Sequence, residues 1–199
     1  SYNADPNSES VFYATKGIAE QVVRDIIPDT TIVRPAPMYG REDSLLNYLG
    51  PKVKMWTPNK NAKEVWPVYV LDVARALERI AYDDSTAGQT FELYGPEKVT
   101  FQEIRNMIHG ITENYAQVGP WSYQFADYAI PLPLAKAIAK VQQLVWWKLT
   151  NPDQVQRLVI NQKIDPNAKT FHDLGIDDLT RLPDVLFSYV KQWRHPLIA

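Results

Sequence analysis

Apolar residues recur at helical spacing over residues 11–27: positions 11, 18, 19, 22, 23, 26 and 27 share one face, while Lys16, Glu20 and Arg24 form an i, i+4 polar stripe. This predicts an amphipathic helix with its apolar face inward, stopped by Pro28-Asp29. Residues 30–33 are a β-branched run. They predict a short buried strand that stops at Arg34-Pro35-Ala36-Pro37, because proline has no N–H for a ladder. Asp43 or Ser44 is placed to cap a short helix over 45–49, and the basic residues 50–64 read as irregular and exposed. A strand over 65–71, a helix capped by Asp72 and running to Tyr82, and a strand over 90–94 closed by Gly95-Pro96 complete this half.

The first hundred residues therefore alternate helix and strand, the pattern of parallel crossovers. The predicted fold is α/β, the C-terminal part of a Rossmann-like doubly wound parallel sheet with a smaller, mainly helical lobe. Past Thr100, which forms a capping box with Glu103, the pattern changes to helices over 134–149, 151–161 and 183–194, separated by proline clusters. The predicted division is a Rossmann-like part over 1–99, interrupted by the irregular insertion 41–64, and a helical lobe or interface region over 100–199.

Composition narrows the chemistry. The 199 residues contain eight glycines, no two closer than seven positions apart, so neither G-x-G-x-x-G nor a P-loop can be written on this chain. There is no cysteine, which excludes disulfides, thiolate nucleophiles and Cys-ligated metal. A formal net charge of -2 argues against nucleic acid as a partner. No apolar run reaches the roughly 18 residues of a membrane span, and the polar first ten residues predict no retained signal peptide. The three histidines, His109, His172 and His195, have no partners at ligand spacing, so no metal site is expected.

Three segments carry chemistry in a fixed order: FYATKGIAE from Phe12, TIVRPAPMYG from Thr31 and VYVLDVA from Val68. Together they resemble the C-terminal half of extended or atypical short-chain dehydrogenases/reductases (SDRs), a Rossmann-type family with Y-x-x-x-K-x-x-x-E on a helix, R-P-x-x-x-Y-G closing the next strand and V-x-V-x-D-V-A at a later strand–helix joint. The resemblance implies a tyrosine acid or base and, one turn later, a lysine that lowers its pKa and bonds the nicotinamide ribose. Both jobs need side chains on one helix face. Here Lys16 is present, but the tyrosine position is Phe12, and Tyr13 lies about 100° around the helix. The expected activity is NADP(H) binding without turnover, with no catalytic residue. Cofactor contacts are expected from Lys16, Phe12, Pro35, Ala36, Met38 and Ser1. For Lys16 a solvated place in the polar stripe stays open, for Pro35 to Met38 a proline-stiffened turn, and for Asp72 a simple helix cap.

A narrower likeness lies in EQVVRD from Glu20, IVRPAPMYG running into GRED, Leu46-Asn47, PVYVLDV from Pro67, DLGI from Asp173 and the Arg194 region. These resemble the SDR-like nucleotide-binding accessory subunits of mitochondrial respiratory complex I. The resemblance implies a peripheral, matrix-side subunit of the inner membrane, one bound NADPH with a structural or regulatory role, and other complex I subunits as partners. Independently, residues 129–149 combine an apolar face with Lys136, Lys140, Lys148 and Trp146-Trp147, near Trp121, Tyr123, Phe125 and Tyr128. Such a segment suits a membrane surface, a lipid headgroup or a hydrophobic partner groove, or a helix of the lobe's own core. The competing function is an active NADP-dependent SDR reductase or epimerase on a nucleotide-sugar or small carbonyl, with Tyr13 as the acid.

Overall fold

The computed structural model describes residues 1–52, 54–113, 126–144 and 150–193. In chain order the elements are α1 (Val11–Ile26), β1 (Ile32–Pro35), β2 (Met38–Tyr39), α2 (Leu46–Leu49), β3 (Lys54–Thr57), β4 (Glu64–Val65), β5 (Val68–Tyr69), α3 (Val70–Ala81), β6 (Thr90–Leu93), β7 (Val99–Thr100), α4 (Phe101–Glu113), β8 (Ala126–Ala129), α5 (Leu132–Gln142), α6 (Pro152–Arg157) and α7 (Leu182–Val190). They form two compact units whose boundaries do not follow chain order. The first joins Ser1–Gly40, Val65–Lys98 and Gln162–Leu182; the second joins Arg41–Glu64, Val99–Asn161 and Pro183–Ala199.

The first unit is the α/β layer. β1 runs parallel to β6 with Ile32 opposite Thr90 and Pro35 opposite Leu93, and β2 runs parallel to β5. Lys169 adds a parallel bridge at Phe91, with Glu92 N–H donating to the Lys169 carbonyl at 2.8 Å. The core is Ala36, Val68, Val73, Ala76, Phe91, Leu93, Phe171, Leu174 and Ile176. Pro35 belongs to β1 instead of ending it. The N–H groups of Ile32 and Ala36 bond toward β6, so the N–H that Pro35 lacks falls on the opposite edge, where its carbonyl accepts from Tyr2 at 3.4 Å.

Two sequence expectations are corrected here. The inward face of α1 is Tyr13, Gly17, Glu20 and Arg24, spaced i, i+4, i+7, i+11, whereas Val11, Ile18, Val22 and Ile26 are exposed, Ile26 at 72%. The polar stripe turns inward because Arg24 reaches the Thr90 hydroxyl at 2.6 Å and the Gly88 carbonyl at 3.3 Å, while Glu20 binds Arg34. Second, Asp72 does not cap α3. The strand breaks into Val68–Tyr69, helix begins at Val70, and the buried Asp72 carboxylate accepts the Thr180 N–H at 2.8 Å and pairs with Arg75 at 3.3 Å. A buried carboxylate needs such partners, and a residue 108 positions away supplies the closer one.

In the second unit β3 and β8 pair in parallel, with Trp56 opposite Tyr128. β3 alternates, Met55 and Thr57 inward, Lys54 and Trp56 outward, an alternation hidden from composition by the surrounding lysines and prolines. The expected Thr100–Glu103 capping box is formed, with Glu103 N–H donating to the Thr100 hydroxyl at 3.1 Å; neither Asp43 nor Ser44 stands at the N-cap of α2, which is Leu45, although Asp43 accepts the Leu46 N–H at 2.5 Å. The expected helices are shorter. The one begun at Asn151, whose own capping box is complete, ends at Arg157, and the last ends at Val190, followed by one 3-10 turn. Trp121, Tyr123, Phe125, Trp146, Trp147, Lys148, Arg194 and His195 lie outside the described residues.

Candidate functional site

The expected site lies where α1 passes the carboxyl end of β1, the end at which open α/β sheets bind ligands. α1 is held against the preceding loop at Gly17: a methyl group added there would stand 2.5–2.6 Å from backbone atoms of Pro6 and Asp5. With the helix rotated in this way, Phe12 and Lys16 lie one turn apart on a shared face. Lys16 is exposed, Phe12 half-buried, and the Lys16 ammonium stands 5.7 Å from the Phe12 ring centroid. Tyr13 is turned inward. It is 1% exposed, and its ring meets those of Tyr2 and Phe12 edge-on at 5.5 and 5.6 Å.

The remaining expected contacts fall nearby in the same unit. Ser1 is half-buried and precedes Tyr2, whose N–H meets Pro35. Pro35 is half-buried at the end of β1. Ala36 is buried, with its N–H bonded to the Leu93 carbonyl at 2.8 Å, and the Met38 side chain is exposed. The structure thus brings Ser1, Tyr2 and Pro35 together at the end of one strand, and sets Phe12 and Lys16 on the helix that precedes it. Lys16 has no hydrogen bond or ion pair among the described residues, so its ammonium is available to a ligand hydroxyl.

Sequence reasoning missed the charged group that joins these pieces. Arg34, on β1, grips both carboxylate oxygens of Glu20 at 2.6–3.2 Å, reaches Glu92 at 3.3 Å and lies 3.9 Å from Asp165. Glu92 in turn accepts the Asp165 N–H at 2.8 Å. The Glu20 hydrogen bonds raise the Arg34 pKa further above its already high value. The signal that could have found it was Glu20 itself, one turn beyond Lys16 in a helix followed directly by an arginine-bearing strand. Nearby, the Tyr39 hydroxyl donates to the Thr180 carbonyl at 2.7 Å, closing the loop after β1.

Among the described residues, no group of three or more His, Asp or Glu side chains is placed to hold a metal ion. His172 makes a single 2.7 Å contact with Asp177, which raises the imidazole pKa. His109 is buried, and desolvation followed by the charge of Arg105 lowers its pKa to about 4.

No protein-family model matches the chain. By structure it is similar to a nucleoside-diphosphate-sugar epimerase of Staphylococcus aureus, with a TM-score of 0.61 and 17% identity, covering 94% of this chain and 62% of that one. With its parallel strands and α/β order, this shows a Rossmann-like α/β fold. By sequence it is 43% identical over 196 residues to the mitochondrial NADH-ubiquinone oxidoreductase 40 kDa subunit of Neurospora crassa, covering 98% of this chain and 49% of that protein. It is also 30% and 28% identical to NADH dehydrogenase (ubiquinone) 1 alpha subcomplex subunit 9 of Arabidopsis thaliana and Mus musculus, each over 87% of this chain. The chain is a homologue of this complex I subunit family, and it spans about half the length of the curated relatives it matches.

Proposed function

We propose that this chain works as part of a non-catalytic accessory subunit of mitochondrial complex I, holding a bound NADPH that stabilises the subunit and its assembly near the junction of the enzyme's arms. Homology to subunits named for NADH–ubiquinone oxidoreductase supports the assembly, its other subunits as partners and the mitochondrial setting. No helix among the described residues is long and apolar enough to cross a membrane. In this proposal the subunit sits peripherally on the matrix side of the inner membrane.

The observation that carries the non-catalytic reading is the Phe12–Lys16 pair. In this reading Lys16 bonds the ribose hydroxyls, and the side chain sharing its face is a phenyl ring with no proton to give. An active reductase or epimerase would need Tyr13 as its acid on the Lys16 face, and Tyr13 is buried between rings instead. The half-site fits a dinucleotide: an exposed cation on α1, the end of a parallel strand at Pro35 and Ala36, and the exposed Met38 side chain beyond it. When bound, the nicotinamide would lie toward Pro35–Met38 and Ser1, with its ribose on Lys16 and its edge against Phe12. The exposed Leu134, Ile138 and Val141 of α5, with Lys140 beside them, support a membrane-surface or lipid-headgroup contact within 129–149.

The test is nucleotide release from the purified complex on denaturation. The expected yield is about one NADPH per subunit, reduced by Lys16→Ala and unaffected by Tyr13→Phe. A complex with this subunit intact and no nucleotide overturns the proposal. Carbonyl turnover that is abolished in Tyr13→Phe would establish the active reading instead.

A further inference from the structure

The second unit contains a cleft that the nucleotide reading does not use. It encloses about 390 Å³, within the range of small-molecule sites. Its floor is apolar, formed by Met55, Ile130, Ala135, Ala139, Val155 and Leu158, and its rim carries Tyr48, Lys52, Lys54, Trp56 and the exposed Ile138. Among the described residues, no carboxylate lines it. From this pairing of an apolar floor with an uncompensated cationic rim, we propose that the cleft binds a single anionic amphiphile, the acyl chain on the floor and a phosphate or carboxylate head on Lys52 and Lys54.

Each part of the arrangement is built by specific contacts. The guanidinium of Arg105, 1% exposed, takes the Leu49 and Lys52 carbonyls at 2.8 and 2.9 Å and pairs with Asp127 at 3.0 Å. It thereby pins the backbone of Lys52 to α4 and to β8. The Lys52 ammonium then sits 3.4 Å from the Tyr48 ring centroid, and burial together with the charge of Arg105 lowers its pKa. A partly desolvated cation held over a ring gains more from an anion than a solvated one does. Neither Lys52 nor Lys54 has a carboxylate partner among the described residues. Beside Lys54 on the outward face of β3, Trp56 is 62% exposed and stacks on Tyr128 at 4.5 Å, a flat apolar wall for an alkyl chain.

The chemistry selects among occupants. A bare inorganic anion would leave the floor unused, and a cationic or neutral amphiphile would leave two lysines unanswered. The site differs from adsorption of α5 on a bilayer, because it needs the chain to enter the cleft.

The experiment titrates the purified full chain with dodecyl phosphate kept monomeric, reading heat and tryptophan fluorescence. Parallel titrations use inorganic phosphate, dodecyltrimethylammonium, and vesicles of phosphatidylcholine with phosphatidic acid. The expected result is saturable binding of dodecyl phosphate, at least about tenfold tighter than the other two soluble probes. That binding should weaken about tenfold or more both in Lys52→Glu/Lys54→Glu and in Ile138→Glu, all surface substitutions that leave the circular dichroism spectrum unchanged, and Trp56→Phe should remove the fluorescence response. Equal binding of inorganic phosphate or of the cationic amphiphile overturns the proposal, as does binding that the variants leave intact. Binding to vesicles alone also overturns it, and would assign the surface to membrane adsorption. None of these readouts involves NADPH, so the two proposals stand or fall separately.

Discussion

Arg34 holds Glu20 in a two-oxygen grip, 2.6 Å at its shortest, and so fixes the rotation of α1 against β1 one turn beyond Lys16. Both side chains are largely shielded from water, and Glu92 and Asp165 complete the group around the guanidinium. The helix that carries the proposed ribose contact is thus oriented by charge, while its apolar residues face outward.

Arg34→Met should be strongly destabilising, because it leaves Glu20 and Glu92 beside one another without their cation. The expected loss is about 3 kcal/mol, the range for breaking a shielded ion pair. Urea denaturation at pH 7 measures it, and the milder Glu20→Gln, which keeps a hydrogen-bond acceptor, should cost less than half as much.

Gly17→Ala should destabilise although alanine is the better helix former by about 1 kcal/mol. The added methyl would meet backbone of Asp5 and Pro6, which cannot rotate away as a side chain can. A net loss of about 1–3 kcal/mol, typical of overpacking, is expected in thermal or urea unfolding. Amide exchange should accelerate over residues 1–10 as that loop lifts from the helix.

Arg105→Ala should unfold the second unit preferentially. It strands Asp127 and frees the Leu49 and Lys52 carbonyls inside a buried setting, a cost of about 3–5 kcal/mol. Amide exchange in α4 should lose protection while β1 and β6 keep theirs.

Stability should fall with acid through His109. Its folded-state pKa of about 4 lies below the ordinary 6.5, so as pH drops the unfolded chain takes up the proton first. The contribution is fully present above pH 6.5 and is lost progressively down to about pH 4. His109→Gln should flatten the urea midpoint across this window, and an unchanged slope would show that other groups govern it.

What could be read from sequence was local. The helix–strand alternation, the capping box at Thr100, and the shared face of Phe12 and Lys16 depend on spacings of three or four residues, which backbone geometry fixes without reference to the rest of the molecule. The scarcity of glycine likewise sufficed to show that no glycine-rich phosphate turn lies on this chain. The facing of α1 was decided otherwise. Its hydrophobic pattern favours burying Val11, Ile18, Val22 and Ile26, yet Glu20 and Arg24 face inward because Arg34 and Thr90, supplied by parallel strands, give them partners. Asp72 followed the same logic, taking the Thr180 N–H in place of its own helix terminus. Only the tertiary structure could settle these points, because a buried charge goes where its counter-charge or hydrogen-bond donor stands, and those groups are distant in sequence.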